Sequence, residues 1–285
     1  MKIAILGTEN SHADAFAKLI KTDPDFADLE LIGAYGYDET ANQRLLDAGL
    51  ITRFAEKPEE FLDEADGVLV TARHGDHHWE YALPYVKAGK AAFIDKPFTV
   101  REDYADELIR AAKESGALLC GGSSLKFLRD LVPLKQYAAE NTVVGGHVAA
   151  PVNMVNDYAG FYFYAQHLIE MMFAVFGKDV RAVTAHCPDP SKNRVSVIFD
   201  YGNFDVTATY SGSYEYSVTV LTEQGSQRIA THDLGDCYKR ELTEFAEMAR
   251  SGKAVCTPEE LKKPLTLLHC VEQSYTQGKK VDVRY

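Results

Sequence analysis

A lysine between an acid and a proline is the first candidate for chemistry. Asp95-Lys96-Pro97 follows the apolar run Ala91–Ile94. That run reads as a buried strand of a parallel sheet. In open α/β sheets ligands lie beyond the carboxyl ends of the strands. A lysine there can bind and polarise an oxygen. Its neighbours Asp95 and Pro97 would shape the same ligand surface, and a cis Lys-Pro bond, accessible at modest cost, would aim the amine. The plain alternative is a strand ending in a solvated turn. A second candidate is His167, the one histidine of the apolar segment Phe161–Phe176. An imidazole acting as general acid/base contributes roughly 10²–10⁴-fold to a rate. On a helix Phe163, His167 and Glu170 share one face. Tyr164 and Tyr162 are nearby proton donors, with Tyr164 also placed to touch substrate. The plain alternative for His167 is a core histidine.

A third candidate is the loop Arg73-His74-Gly75-Asp76-His77-His78. Its side chains are of metal-ligand type. A catalytic metal site draws ligands from more than one segment, however, and nothing elsewhere clearly pairs with this loop. No metal is therefore expected. His74 and His77 read either as part of a loop above the sheet, facing a cofactor, or as solvated histidines.

Strands and helices must position these groups. Lys2–Leu6 is an apolar strand, followed by Gly7-Thr8-Glu9-Asn10-Ser11-His12. Ala13, Phe16, Ala17 and Ile20 then fall at i, i+3, i+4 and i+7, a helix packed on a sheet. Ser11 and Asp14 form a capping signature that starts the helix at Ser11. Strand, tight turn and helix N-terminus is where a Rossmann fold holds a pyrophosphate. Gly7, Thr8, Asn10, Ser11 and His12 are thus candidate cofactor contacts. The fingerprint G-x-G-x-x-G is incomplete, because Glu9 and His12 stand at its second and third glycines. A carboxylate near a phosphate is repulsive by roughly 1 to 4 kcal/mol. Glu9 must turn away, or the cofactor must lie differently, or none binds; His12 offsets part of this if it donates to phosphate.

The second strand, Leu29–Tyr35, leads to Gly36, Tyr37 and Asp38. Asp38 suits either a ribose contact or the N-cap of a helix over Glu39–Ala48, so NAD and NADP both stand. Strands at Gly67–Thr71, Ala91–Ile94 and Ala117–Cys120 alternate with helical segments; Thr71 ends the third strand at the ligand side. Residues 1–122 therefore read as a doubly wound parallel sheet. Character changes after Gly122. Val206, Ala208 and Tyr210 alternate with polar residues, as do Tyr216, Val218 and Val220, and Gly202-Asn203 marks a hairpin turn. Helices over Tyr238–Arg250 and Pro258–Thr276 follow. Residues 123–285 read as an α+β domain with an open, mostly antiparallel sheet.

The 285 residues carry a formal charge of −12, which argues against nucleic acid or an anionic membrane as partner. No apolar run approaches the roughly 18 residues of a span, and MKIAILG lacks the layout of a cleavable signal. The 5 cysteines are scattered without C-x-x-C spacing, which suggests reduced thiols in a cytoplasm.

The chain resembles the glucose–fructose oxidoreductase / inositol dehydrogenase / MocA (Gfo/Idh/MocA) family. Ala88-Gly89-Lys90 and Asp95-Lys96-Pro97 match its helix end and its Glu-Lys-Pro, with Asp for Glu. His77 falls at a family histidine, although Arg73 replaces a proline. Phe163, Ala165, His167 and Glu170 occupy the family's Asp-x-Gly-x-His-x-x-Asp, and Gly177 matches a later glycine. Glu241-Leu242 with Phe245, Thr257-Pro258-Glu259-Glu260 and Glu272 to Val281 resemble the family's ending. The resemblance implies an NAD(P)-dependent oxidoreductase acting on a sugar, polyol or related hydroxy/keto compound. It implies Lys96 and His167 as catalytic residues, and a homodimer or homotetramer through the second sheet. Phe163, where the family carries a catalytic Asp, and Glu9 favour an alternative, a redox-inactive dinucleotide- or metabolite-binding protein. Metal-dependent hydrolysis or lyase chemistry through the histidine loop is a third reading.

Overall fold

The computed structural model describes residues 1–285, which form two compact units. The first comprises Met1–Gly122 and Tyr238–Lys262; the second comprises Ser123–Cys237 and Lys263–Tyr285.

In the first unit, β1 (Lys2–Leu6), β2 (Glu30–Tyr35), β3 (Gly67–Val70), β4 (Ala91–Asp95) and β5 (Leu119–Gly122) form a parallel sheet in the order β2-β1-β3-β4-β5. All four residues of β3 are buried, as expected of a strand covered on both faces. Helix α1 (Ser11–Thr22) buries Ala13, Phe16, Ala17 and Ile20, the stripe its spacing predicts. Asn10 is its N-cap residue, and its side chain makes no capping bond. Asp14 pairs with Arg44 rather than closing a capping box. Helix α2 (Glu39–Asp47) starts at Asp38, and α3 (Gly75–Lys87) and α4 (Glu102–Ser115) fill the remaining crossovers. Gly116, at φ 76°, ends α4 in the left-handed region. Much of α7 (Cys237–Ser251) returns to this unit, placing Leu242, Phe245, Ala246 and Met248 in the same core cluster as Ile3, Phe16 and Phe93.

The second unit contains α5 (Leu131–Glu140), the strands β6 (Val143–Pro151), β7 (Ala182–His186), β8 (Val195–Asp200), β9 (Asp205–Ser211), β10 (Tyr216–Thr222), β11 (Gly225–Thr231) and β12 (Val281–Asp282), helix α6 (Phe161–Phe176) and most of α8 (Pro258–Gln277). The sheet runs β11-β10-β6-β9-β8-β7-β12, antiparallel except where β6 pairs with β9. Period-2 alternation fixes which residues face α6. Val183, Phe199, Val206 and Val220 are buried in register, while Thr184, Ile198, Thr207, His147 and Thr219 cross the opposite face. α6 covers the inner face: a Cβ at Gly146 would lie 2.4 Å from the Phe176 ring, so only glycine lets the helix approach. Gly202-Asn203 forms the turn between β8 and β9, enclosed by the Tyr201 N–H donating to Phe204 O at 3.0 Å.

Candidate functional site

In the first unit the candidate residues gather where β1, β3 and β4 end. Gly7 has φ 102°, and a Cβ there would lie 2.3 Å from Ala72 N, so the turn after β1 requires glycine. Thr71 Oγ1 donates to Gly7 O at 2.6 Å, and Gly7 N–H donates to Tyr35 O at 2.7 Å. These bonds pin the turn to both neighbouring strands. Thr8 Oγ1 donates to Asn42 Oδ1 at 2.5 Å, and Asn42 Nδ2 donates to Gly36 O at 2.8 Å. Any side chain at Gly36 is excluded, since a Cβ would lie 1.9 Å from Thr8 Oγ1.

Glu9 turns inward. Its Oε1 accepts the Arg73 N–H at 2.9 Å, and the residue is 8% exposed. Ser11 is exposed and its hydroxyl lies 3.3 Å from Tyr238 Oη. Asn10 Nδ2 donates to Asp95 Oδ2 at 2.9 Å. His12 is buried beside Asp95 and Glu241, with ring nitrogens 3.3 and 3.2 Å from their carboxylates. Burial lowers the His12 pKa, Asp95 pulls it up and Lys96 pushes it down, leaving it below its usual value.

Lys96 lies at the end of β4 with a cis peptide to Pro97, and its N–H donates to Asp95 Oδ1 at 2.7 Å. Burial lowers its pKa, opposed by the charges of Asp95 and Glu241. An ammonium held beside carboxylates in a dry setting is a strong donor to an oxygen that gains negative charge.

The histidine loop does not converge on one point. His74 caps α3, its Nδ1 accepting the Asp76 N–H at 3.2 Å. Asp76 Oδ1 accepts the N–H groups of Val100 and Arg101 at 3.0 and 3.2 Å. His77 stacks on Tyr81 and lies 3.2 Å from Glu80. His78 is buried, with its two ring nitrogens 2.7 Å from Ala72 O and Pro97 O. Asp38 caps α2, its Oδ1 accepting from Thr40 and Ala41 N–H at 2.9 and 3.1 Å. The capping use is thus realised.

In the second unit His167 is 7% exposed, and its Nδ1 lies 2.6 Å from Ser123 Oγ. Ser123 Oγ also accepts the Leu125 N–H at 3.1 Å. Glu170, whose pKa burial raises, bonds to Ser123 N–H and Gln166 Nε2. The hydroxyl of Ser123, more than the carboxylate of Glu170, orients the imidazole. Tyr164 packs edge-on against His167 with ring centroids 5.5 Å apart. Tyr162 is taken up elsewhere, its hydroxyl donating to Glu272 at 2.6 Å. Phe163 packs against Tyr158 and Tyr164.

Two residues escaped the sequence reading. Ser123 follows Gly121-Gly122 at the ligand end of β5, a position that itself signals function. Glu241 falls on the apolar stripe of α7 with Leu242, Phe245 and Met248, where a carboxylate needs a reason.

Comparison with known proteins fits this geometry. Residues 1–122 match the family model GFO_IDH_MocA, described as an oxidoreductase family with an NAD-binding Rossmann fold. The match spans the first 122 residues of the chain. A curated relative, the uncharacterized oxidoreductase YhhX of Escherichia coli (strain K12), is 26% identical over 140 residues, spanning 44% of this chain and 40% of the relative. The fold extends to the whole chain. Myo-inositol 2-dehydrogenase from Lactobacillus plantarum superposes with a TM-score of 0.87 at 14% identity, covering 100% of this chain and 99% of that one. GenD2 from gentamicin A biosynthesis, solved with NAD, gives 0.86 at 17% identity, covering 100% and 97%. The WlbA dehydrogenase from Bordetella pertussis, solved with NADH and UDP-GlcNAcA, gives 0.81 at 16% identity, covering 100% and 99%. The residues that match this model include Gly7, Glu9 and Lys96, and no helix of the chain is long and apolar enough to cross a membrane.

Proposed function

We propose that this chain is an NAD(P)-dependent oxidoreductase moving a hydride between a nicotinamide and an oxygen-bearing carbon of a sugar, polyol or related hydroxy/keto substrate. The observation that carries it is the turn Gly7–Asn10 leading into the N-terminus of α1, inside a domain matching an NAD-binding family. The inward turn of Glu9 supports it, because it takes the carboxylate out of a phosphate's way. Two structural relatives support this substrate class: one is named a myo-inositol 2-dehydrogenase, and the other is a dehydrogenase solved with UDP-GlcNAcA.

A bound nicotinamide supplies the hydride donor or acceptor. Lys96 Nζ binds the substrate oxygen and stabilises its charge as the carbon–hydrogen bond breaks or forms. His167 exchanges the hydroxyl proton. Ser123 backs that exchange: its hydroxyl can donate to Nδ1 or accept from it, so the outer nitrogen can hold or release a proton without a buried charge behind it. Tyr164 confines the imidazole and faces substrate. His74 and His77 are assigned to the cofactor side, with Thr71 and Pro97 shaping its floor.

Phe163 favours a second reading, a dinucleotide- or metabolite-binding protein without redox turnover, since its ring packs with Tyr158 and Tyr164 where the resemblance implies a catalytic carboxylate. A titration of the purified protein with NADH and NADPH, followed by assays over a sugar and polyol panel, separates the two. Binding with turnover, and Lys96→Ala losing turnover by at least a hundredfold while still binding dinucleotide, is expected. Binding without turnover across the panel selects the second reading, and no binding of either dinucleotide overturns the first.

A further inference from the structure

We propose that His12, Asp95 and Glu241 form a binding site for one divalent transition-metal ion of the Zn²⁺ or Mn²⁺ class. The ligands come from α1, the end of β4 and α7, three elements of the first unit. One donor atom from each lies within 4.8 Å of the others. The side chains are 4%, 0% and 1% exposed, so this is a buried constellation and not a solvated acidic patch.

The decisive observation is at His12. Its ring nitrogens lie 3.3 Å from Asp95 and 3.2 Å from Glu241, close enough to bond. Neither nitrogen makes a hydrogen bond. Buried polar atoms are nearly always partnered, and exceptions call for an ion or a water. Groups that serve one another as donor and acceptor point at each other. Zinc ligands stand about 2.0–2.2 Å from the ion, so an ion drawing on one ring nitrogen and both carboxylates fits donor atoms that lie within 4.8 Å of one another.

Charge and donor type agree. Two carboxylates stripped of water need compensating positive charge nearby. One imidazole with two carboxylates suits zinc or manganese, whereas calcium and magnesium favour oxygen alone. Asp95 is already oriented as a ligand should be: Asn10 Nδ2 and the Lys96 N–H hold its two oxygens at 2.9 and 2.7 Å. The Lys96 ammonium also draws on Asp95 and Glu241. The segments supplying the ligands are far apart in sequence, so no local motif marks them.

The test needs no substrate and no dinucleotide. Chelator-treated protein is titrated calorimetrically with Zn²⁺, Mn²⁺, Mg²⁺ and Ca²⁺, metal content is measured by mass spectrometry after gel filtration, and Co²⁺ is added to read its visible absorption. One ion per chain and a Co²⁺ spectrum are expected, with His12→Ala and Glu241→Gln each weakening binding at least a hundredfold. Glu241→Gln keeps shape and volume, so it carries the test if His12→Ala fails to fold. No stoichiometric metal, a preference for Mg²⁺ or Ca²⁺, or unchanged affinity in the Glu241→Gln variant would overturn the proposal. The dinucleotide titration above is scored independently.

Discussion

His78 shows how a single buried side chain adds to the acid sensitivity of the fold. Its two neighbours, Ala72 O and Pro97 O, are both acceptors, and a neutral ring donates to only one of them. Burial nonetheless dominates, and with Lys96 and His77 adding positive charge nearby it lowers the pKa from 6.5 to about 4. The unfolded chain then binds the proton more readily than the folded one. Stability from this group is complete above about pH 6.5 and is lost as pH falls towards 4, by up to roughly 3 kcal/mol. In denaturant titrations between these pH values, His78→Gln should flatten the slope of stability against pH. An unchanged slope would assign the acid sensitivity to other groups. The residue is a brace between the ends of β3 and β4, although its place in a His-rich loop made it look like a ligand.

At the scale of elements, α2 depends on one carboxylate. Asp38 Oδ1 takes up the Thr40 and Ala41 N–H groups, two donors that the first turn leaves unpaired. Asp38→Ala should cost about 1 kcal/mol. Thermal unfolding reads that loss directly. A drop in NADH affinity without a stability change would mean instead that the carboxylate serves the ribose. Cap and ribose contact were equally legible at Asp38 because both want an acid just beyond a strand. The β1–α1 turn was legible for a different reason: the strand, Gly7 and the apolar stripe Ala13–Ile20 are all local. The direction of Glu9 was not, because its partner is the Arg73 N–H just beyond β3, 64 residues away in sequence.

At the scale of the molecule, α7 completes a core that residues 1–122 begin. Phe245 is fully buried, and a Cβ at Gly67 would lie 3.1 Å from its ring. Phe245→Ala should destabilise the first unit by roughly 3–5 kcal/mol, and a fragment ending at Gly122 should lose cooperative unfolding and bind a hydrophobic dye. A cooperatively folding fragment would show that α7 is dispensable. The open face of the second sheet exposes Ile198 and Leu221 among threonines. We propose that it pairs with a second copy; light scattering that finds only monomer ends that proposal.

Local pattern determined most of the elements. Alternation wrote β9 and β10, helical spacing wrote α1, a strongly apolar segment wrote α6, and Gly116 ended α4 where its left-handed backbone was needed. These signals need only a residue and its near neighbours. The buried set of His12, Asp95 and Glu241, the tie from Ser123 to His167 and the return of Tyr238–Lys262 to the first unit were decided by tertiary structure. Each joins segments whose separation carries no periodic trace, and a side chain's polar partner is chosen only when packing brings the segments together.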